Sequence, residues 1–287
     1  MVELLLSAGY AVIFVHRASS AFPFARRLLP PAVMPHEWLR SLGDMAEAQR
    51  AASTAFAASE SRLLALPFTS VEQYLALLRE SCRALAAAGP HAMLCLAAAV
   101  SDFYVPAEEM PEHKIQSGGP ASGDTASSNS ATGPGGLTLH LRPVPKMLGA
   151  IKRGGGGGGG NGDGAGEPPW ASQAFVVSFK LETNNAILIA KASGAIANYG
   201  VDVVCANLLQ SYKSEVTLVT AAEAGVAPTV QAAARGDEEE EIGVEGITQT
   251  KLCLDGAVAG TEIESLIVDE LVARHTDALQ RARANEG

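Results

Sequence analysis

LAAAVSDFYVP, residues 96–106, closes an apolar run that begins at Ala92, and it loses all bulk in three consecutive alanines before turning through Ser101 and Asp102. A strand in a packed core normally keeps its β-branched residues to the end. Three methyl-sized side chains instead leave room for another group to approach the backbone. The run AMLCLAAAV, 92–100, therefore reads as a buried strand whose carboxyl end meets a ligand. Ligands bind beyond the carboxyl ends of the strands in open α/β sheets, so the stretch points to that class of fold.

The flanking sequence agrees. YAVIFVHR (10–17) is a strand by its β-branched content, and LLALPF (63–68) is a second, weakened by Pro67. FPFARRLL (22–29) and the stretch from His36 to about Arg50 have helical periodicity. SVEQYLALLRESCRALAAAG (70–89) is an amphipathic helix that Thr69 or Ser70 can cap and Gly89-Pro90 stops. Beyond the alanines, AFVVSFKLET (174–183) is a strand, NAILIAKASGAIANYG (185–200) a helix ending at Gly200, and DVVCANLL (202–209) a further strand. SEVTLVT (214–220) and KLCLDG (251–256) are strands, the latter at an edge, and residues 261–284 form a helix with Ile263, Leu266, Ile267 and Leu271 on one face. The alternation predicts a single α/β domain over 1–287, with a Rossmann-like, mostly parallel sheet and helices on both faces. Met1 to Ala8 reads as the last turns of a helix that runs directly into Gly9 and a strand.

Three segments fit no packed element: 117–136 is built of Gly, Ser, Thr, Ala and Pro; 153–168 contains seven consecutive glycines; 222–246 includes the acidic run DEEEE. Such compositions bury too little apolar area to offset backbone entropy, so they are expected to be disordered loop insertions.

Composition narrows the function. With 47% hydrophobic side chains over 287 residues, the chain can bury a large core. A net charge of -10 argues against a nucleic-acid surface, which needs a clustered basic face. The four cysteines, Cys82, Cys95, Cys205 and Cys253, form no CxxC pair and no His/Cys spacing suited to zinc, so reduced thiols in a cytoplasmic protein are expected. No apolar run is long enough to span a bilayer. Outside the run of seven glycines, which matches it only trivially, the dinucleotide fingerprint GxGxxG is missing from the sequence, as are the phosphate loop GxxxxGK[ST] and the nucleophile elbow GxSxG.

Three strand ends carry candidate chemistry. At the first, Ala98 and Ala99 clear space and Asp102 can accept hydrogen bonds from a ligand's hydroxyl or amide, or can cap a turn. At the second, Phe179 and Lys180 emerge together, suited to stacking on a base and neutralising phosphate, though a core Phe beside a surface Lys is equally ordinary. At the third, Asn207 can read a base or ribose, or serve as a turn residue. Between the first two ends, EMPEHKIQSGG (109–119) and LHLRPVPKML (139–148) supply His113, Lys114, Arg142 and Lys146, a local positive cluster in an acidic protein.

Taken together, LAAAVSDFYVPAEEMPEHKIQS, VPKMLGAIK, AFVVSFKLET, VVCANLLQS and IVDELVARHT, with YAVIFVHRASSAFPFARR near the start, resemble the eukaryotic phosphopantothenate-cysteine ligase family. The resemblance covers nearly all of the chain outside the three insertions. It implies a Rossmann-like homodimer that activates the carboxylate of 4'-phosphopantothenate with ATP (CTP in bacterial members) and Mg²⁺. L-cysteine then attacks the acyl nucleotide, on the way to coenzyme A. Carried over by motif, it implies phosphopantothenate contacts at Ala98, Ala99 and Asp102, nucleotide contacts at Phe179 and Asn207 with Lys180 adjacent, and Lys114 in a flap that serves the acyl-nucleotide step. Family members also carry, before the point matching Met1, a first strand, a glycine turn and an Asn-Phe-Ser-Ser-Gly stretch. The resemblance therefore leads us to expect a sheet lacking one central strand, with an unpaired apolar edge beside the vacancy. Two other readings stand beside the ligase: a noncatalytic binding or partner subunit of the same fold, and a nucleotide-cofactor oxidoreductase.

Overall fold

The structure is a computed structural model. It describes residues 1–25, 28, 35–100, 103–106, 140–144, 147–154, 167–223, 226–231, 243–258 and 260–286, with backbone alone at 35–45, 230–231, 243 and 285–286. The chain opens with α1 (Val2–Ser7) and β1 (Val12–Arg17), and α2 (Pro35–Ser59) then leads to β2 (Leu63–Phe68). Next come α3 (Val71–Leu85), β3 (Met93–Leu96) and the short strands β4 (Phe103–Tyr104) and β5 (Arg142–Pro143). After α4 (Leu148–Lys152), β6 (Phe175–Glu182), α5 (Asn185–Tyr199) and β7 (Val203–Leu208) form one strand-helix-strand unit. The chain ends with β8 (Glu215–Ala221), β9 (Thr229–Gln231), β10 (Gly243–Glu245), β11 (Ile247–Cys253) and α6 (Ile263–Glu286).

Five strands make the main sheet in the order β11-β8-β7-β6-β3. β3, β6 and β7 run parallel, and β8 and β11 are added antiparallel. β1 and β2 pair in parallel as a separate ribbon, Val12 opposite Leu63 through Arg17 opposite Phe68. Pro67, which lacks an amide donor, is accommodated because, among the described residues, β2 pairs with β1 alone.

Side chains alternate across a strand, and two cores follow from that alternation. Leu94, Val176 and Val204 face one side, where Tyr74, Leu78 and Cys82 of α3 and Leu188, Ala192 and Ile196 of α5 meet them at four-residue spacing. Phe175, Val177, Val203 and Cys205 face the other side and meet Ile263, Ile267 and Leu271 of α6. Each fully buried leucine or isoleucine contributes about 1.5–3 kcal/mol of apolar transfer. Caps fix the helix ends: Ser70 accepts from the Gln73 amide at 3.3 Å, and the Asn184 side chain accepts from Ala186 and Ile187. Gly200 closes α5 at φ 70, a left-handed backbone that a Cβ would strain.

Several expectations are adjusted by the coordinates. The third strand ends at Leu96 and not at Val100, because the alanines that follow are exposed and offer no bulk to hold a pairing. In the 22–29 stretch the described residues 23–25 and 28 form turns, and no helix is found among them; Phe22, Phe24 and Phe56 pack edge to edge there. The segment 222–246, expected as a loop insertion, holds the antiparallel hairpin of β9 and β10 at its two ends, Val244 opposite Val230, lying against α5. The ends of the glycine-rich 153–168 segment meet, since a Cβ on Gly154 would stand 2.6 Å from the Glu167 carbonyl oxygen.

One polar group in the core ties distant parts of the chain together. His275 continues the four-residue stripe of α6 and is 1% exposed. Its Nε2 lies 2.8 Å from the Pro90 carbonyl oxygen, and its Nδ1 lies 2.8 Å from the Tyr10 hydroxyl. A carbonyl only accepts, so Nε2 carries the proton and Nδ1 accepts from Tyr10. The C-terminal helix, the start of β1 and the turn before β3 are thereby joined at one imidazole. Replacing Tyr10 with Phe removes the donor to Nδ1 and should lower stability by about 1 to 3 kcal/mol. Urea denaturation would show this as a lower midpoint at unchanged slope, and an unaltered midpoint would refute it.

Candidate functional site

Register places the candidate residues. Leu96 is opposite Ser178, so the chain leaving β3 passes beside Phe179. Phe179 is opposite Cys205, Lys180 opposite Ala206, and Leu181 opposite Asn207. The three strand ends singled out in the sequence are thus adjacent in space, with Ala98 and Ala99 exposed beyond the first.

Alternation divides the group. Phe179 is half-buried on the α6 face, packed against the cluster that contains Cys205. Asn207, two residues past Cys205, belongs to the same face. Its Nδ2 makes one long bond, 3.4 Å to the Cys205 carbonyl, which leaves the amide able to serve a ligand. Lys180 alternates to the opposite face. Its Nζ is 3.6 Å from Glu182 Oε1, and Lys191 of α5 reaches the same oxygen at 2.7 Å. The hydrogen bond from Lys191 is the main reason the Glu182 carboxyl is held below its usual range. Ring and amide therefore share a surface, while the ammonium lies across the sheet from them.

The short pairing of β4 with β5, Tyr104 opposite Arg142, brings the chain after Asp102 to the basic segment 139–148. Arg142 is exposed on this ribbon, and the stretch between the two strands carries Lys114 in sequence. Asp102, His113, Lys114 and Lys146 lie outside the described residues.

A cavity of about 850 Å³ opens next to the alanines. The carboxyl ends of β1 and β2 reach it through His16, Arg17, Ser20, Thr69 and Ser70, none of which the strand-end reading had selected. The signal was available: the rule that ligands gather at carboxyl ends applies to HRASS (16–20) as much as to AAAVSD. Cys95 also lines the cavity, but burial pushes its thiol up to about 12, so it stays protonated near neutrality and is a poor nucleophile. Among the described residues no group of three His, Cys, Asp or Glu side chains converges to hold a metal ion, and no helix is long and apolar enough to cross a membrane. What the site offers is space at Ala98 and Ala99, a ring and an amide on one face, and hydroxyls with an arginine at the neighbouring rim. Phe179 and Asn207 do not line the cavity itself, and in kind these groups suit a ligand that combines anionic and aromatic parts.

No family model matches the chain. Whole-sequence similarity is clear: the chain is 37% identical over 292 residues to the phosphopantothenate–cysteine ligases of Mus musculus and Homo sapiens, spanning 96% of this chain and 75% of each relative. It is 35% identical over 230 residues to the ligase CAB2 of Saccharomyces cerevisiae, covering 76% of this chain and 58% of that protein. In three dimensions it matches a histidine-to-alanine variant of Cab2 in complex with phosphopantothenate-cysteine, at a TM-score of 0.70 and 30% identity, over 98% of this chain and 78% of that one. The adjacent strand ends, the sheet order and a similarity that runs through almost the whole sequence lead to one conclusion: this chain belongs to the phosphopantothenate–cysteine ligase family.

Proposed function

We propose that the protein joins 4'-phosphopantothenate to L-cysteine at the expense of a nucleoside triphosphate, a ligase step in coenzyme A biosynthesis. The observation that carries this reading is the match over 98% of the chain to a Cab2 variant in complex with phosphopantothenate-cysteine. In the proposed reaction a carboxylate oxygen of phosphopantothenate attacks the α-phosphorus, and the bond to pyrophosphate breaks. The cysteine nitrogen then attacks the acyl carbon, gives up a proton, and expels the nucleoside monophosphate as the amide forms.

Each residue has a part in this scheme. Ala98 and Ala99 leave the backbone open to the pantothenate arm, and Asp102 accepts hydrogen bonds from its hydroxyl or amide groups. Phe179 stacks on the nucleobase while Asn207, on the same face, bonds to base or ribose. Lys114 stabilises charge that develops on the phosphates. Lys180 joins the nucleotide group by adjacency in sequence, and its pairing with Glu182 across the sheet gives it a less direct route to the phosphates. Mg²⁺, when bound, neutralises phosphate charge, and it needs no three-ligand protein cage because it is commonly held through the phosphates with several waters. ATP is the proposed nucleotide, CTP the competitor, and a cytoplasmic homodimer the proposed working form.

Sustained pyrophosphate release should require nucleotide, phosphopantothenate and cysteine, with at most about one equivalent per site released when cysteine is omitted; release with ATP exceeding release with CTP supports the assignment, and release that ignores phosphopantothenate contradicts it. Lys114→Gln should lower kcat by roughly 100-fold with KM nearly unchanged, because a cation acting on transition-state charge contributes little to ground-state binding. A raised KM at full kcat would remove Lys114 from the chemical step. Ala98→Leu should weaken phosphopantothenate binding by at least about tenfold, since an exposed Cβ at a close approach can only be enlarged into the ligand's space. Calorimetry decides this, and undiminished affinity would place the substrate elsewhere.

A further inference from the structure

Among the described residues that line the cavity of about 850 Å³ there is one arginine, Arg17, and no lysine, aspartate or glutamate. The rest of the lining is largely aliphatic and aromatic. In a protein of net charge -10, a concave apolar surface whose single fixed charge is positive selects an anion. The hydroxyls at the same strand ends divide. Thr69 donates to Gln73 Oε1 at 2.9 Å and Ser70 accepts from the Gln73 amide at 3.3 Å, so both serve the start of α3. The Arg17 guanidinium and the Ser20 hydroxyl are exposed and make no hydrogen bond or ion pair among the described residues.

The loop that presents these two groups is held in one shape. The Ala18 amide donates to the Phe68 carbonyl at 2.8 Å, which carries the pairing of β1 with β2 one residue past Arg17. The Arg17 carbonyl accepts from the Ser20 amide at 2.8 Å and from His16 Nδ1 at 3.0 Å, so the backbone turns at once and brings Ser20 back beside Arg17. The His16 ring stacks on Phe14 at 4.7 Å between centroids, and Phe22 meets both rings edge-on. Phe24 has φ 67, a left-handed backbone that a bulky residue adopts only under constraint, and a Glu3 carboxylate oxygen accepts from its amide at 2.8 Å. A backbone fixed in this way loses little freedom when its side chains take hold of a ligand.

Position gives the source of the anion. The cavity borders β3 and the alanines after it but neither β6 nor β7, so Arg17 lies beyond the alanines from Phe179 and Asn207. Two tails lead away from the reacting atoms of the proposed ligase. Phosphopantothenate has its carboxylate and its phosphate at opposite ends of an arm about as long as three extended residues, about 10 Å. The nucleotide carries its β- and γ-phosphates beyond the α-phosphorus. Either tail ends in a phosphate, and the planar fork of an arginine matches phosphate oxygens two at a time. We propose, on the ligase reading for the identity of the ligand, that Arg17 with Ser20 beside it binds a terminal phosphate of the substrates, across the cavity from Ala98 and Ala99.

Calorimetry with two pairs of ligands tests this. Phosphopantothenate against pantothenate isolates the 4'-phosphate, and ATP against AMP isolates the β- and γ-phosphates. Arg17→Gln should weaken one or both phosphate-bearing members, phosphopantothenate and ATP, by about 10- to 100-fold, the range of a lost charge-assisted hydrogen bond, with pantothenate and AMP unchanged. A loss for phosphopantothenate assigns the 4'-phosphate to Arg17, and a loss for ATP assigns the nucleotide's tail. Arg17→Lys keeps the charge without the fork of donors and should fall between Arg17→Gln and the unaltered chain. Full affinity of Arg17→Gln for both phosphopantothenate and ATP would overturn the proposal and leave the ligase reading standing. Equal loss for all four ligands would overturn it as well, since the phosphate would then make no difference. An unaltered chain that binds neither phosphopantothenate nor ATP would bring down both readings together.

Discussion

Leu96 opposite Ser178 and Val177 opposite Val203 fix everything that follows at the site. Parallel strands climb in step, about 3.3 Å per residue, so these two registers bring the ends of β3, β6 and β7 close together at one edge. A slip of one residue in β6 would carry Phe179 to the face of α5 and move its apolar partners out of both cores at once. The register is held by burial on both faces: Val176 and Val204 under α3 and α5, Val177 and Cys205 under α6. The positions of the exposed alanines, the ring and the amide are thus consequences of core packing several residues away.

The same alternation that builds the cores sorts the chemistry. Phe179 and Asn207 follow Val177 and Cys205 on the α6 face, and Lys180 follows Val176 on the other, where Glu182 and Lys191 engage it. The ion pairs therefore lie on the α5 side of the sheet, while the uncharged Phe179 and Asn207 lie on the α6 side. Tying α6 itself to the amino-terminal part of the chain falls to His275, whose two ring nitrogens engage Pro90 and Tyr10. A group so placed couples the placement of β1 to the face that carries Phe179 and Asn207.

Much of this was legible from residues alone. Strong periodicity and clear caps gave α5 nearly to the residue and the start of α3, with Ser70 capping the one and Gly200 ending the other; α3 itself ends at Leu85 and tightens into a 3-10 turn before the expected stop at Gly89-Pro90. LLALPF was correctly a strand despite Pro67, because an edge tolerates a missing donor. Short pairings were not legible: Phe103–Tyr104 with Arg142–Pro143 and the β9–β10 hairpin depend on partners far off in sequence, and two or three residues carry no period. The site was read as three strand ends, and they are adjacent; the rim at His16, Arg17 and Ser20 was overlooked because a polar run after an apolar strand resembles any loop. His275 gave no polar signal because it occupies an apolar position of the α6 stripe. The antiparallel addition of β8 and β11 likewise has no mark in local sequence, since β-branched content is the same in either direction.

An oxygen label follows the central claim, that this chain activates a carboxylate by transfer to the α-phosphate of a nucleotide. With ¹⁸O in the carboxylate of phosphopantothenate, nucleotide and cysteine supplied in excess, mass spectrometry of the products locates the label. The account predicts one labelled oxygen in the nucleoside monophosphate and none in pyrophosphate. Label appearing in inorganic phosphate, with nucleoside diphosphate as the other product, would mean attack at the γ-phosphorus and would contradict the account.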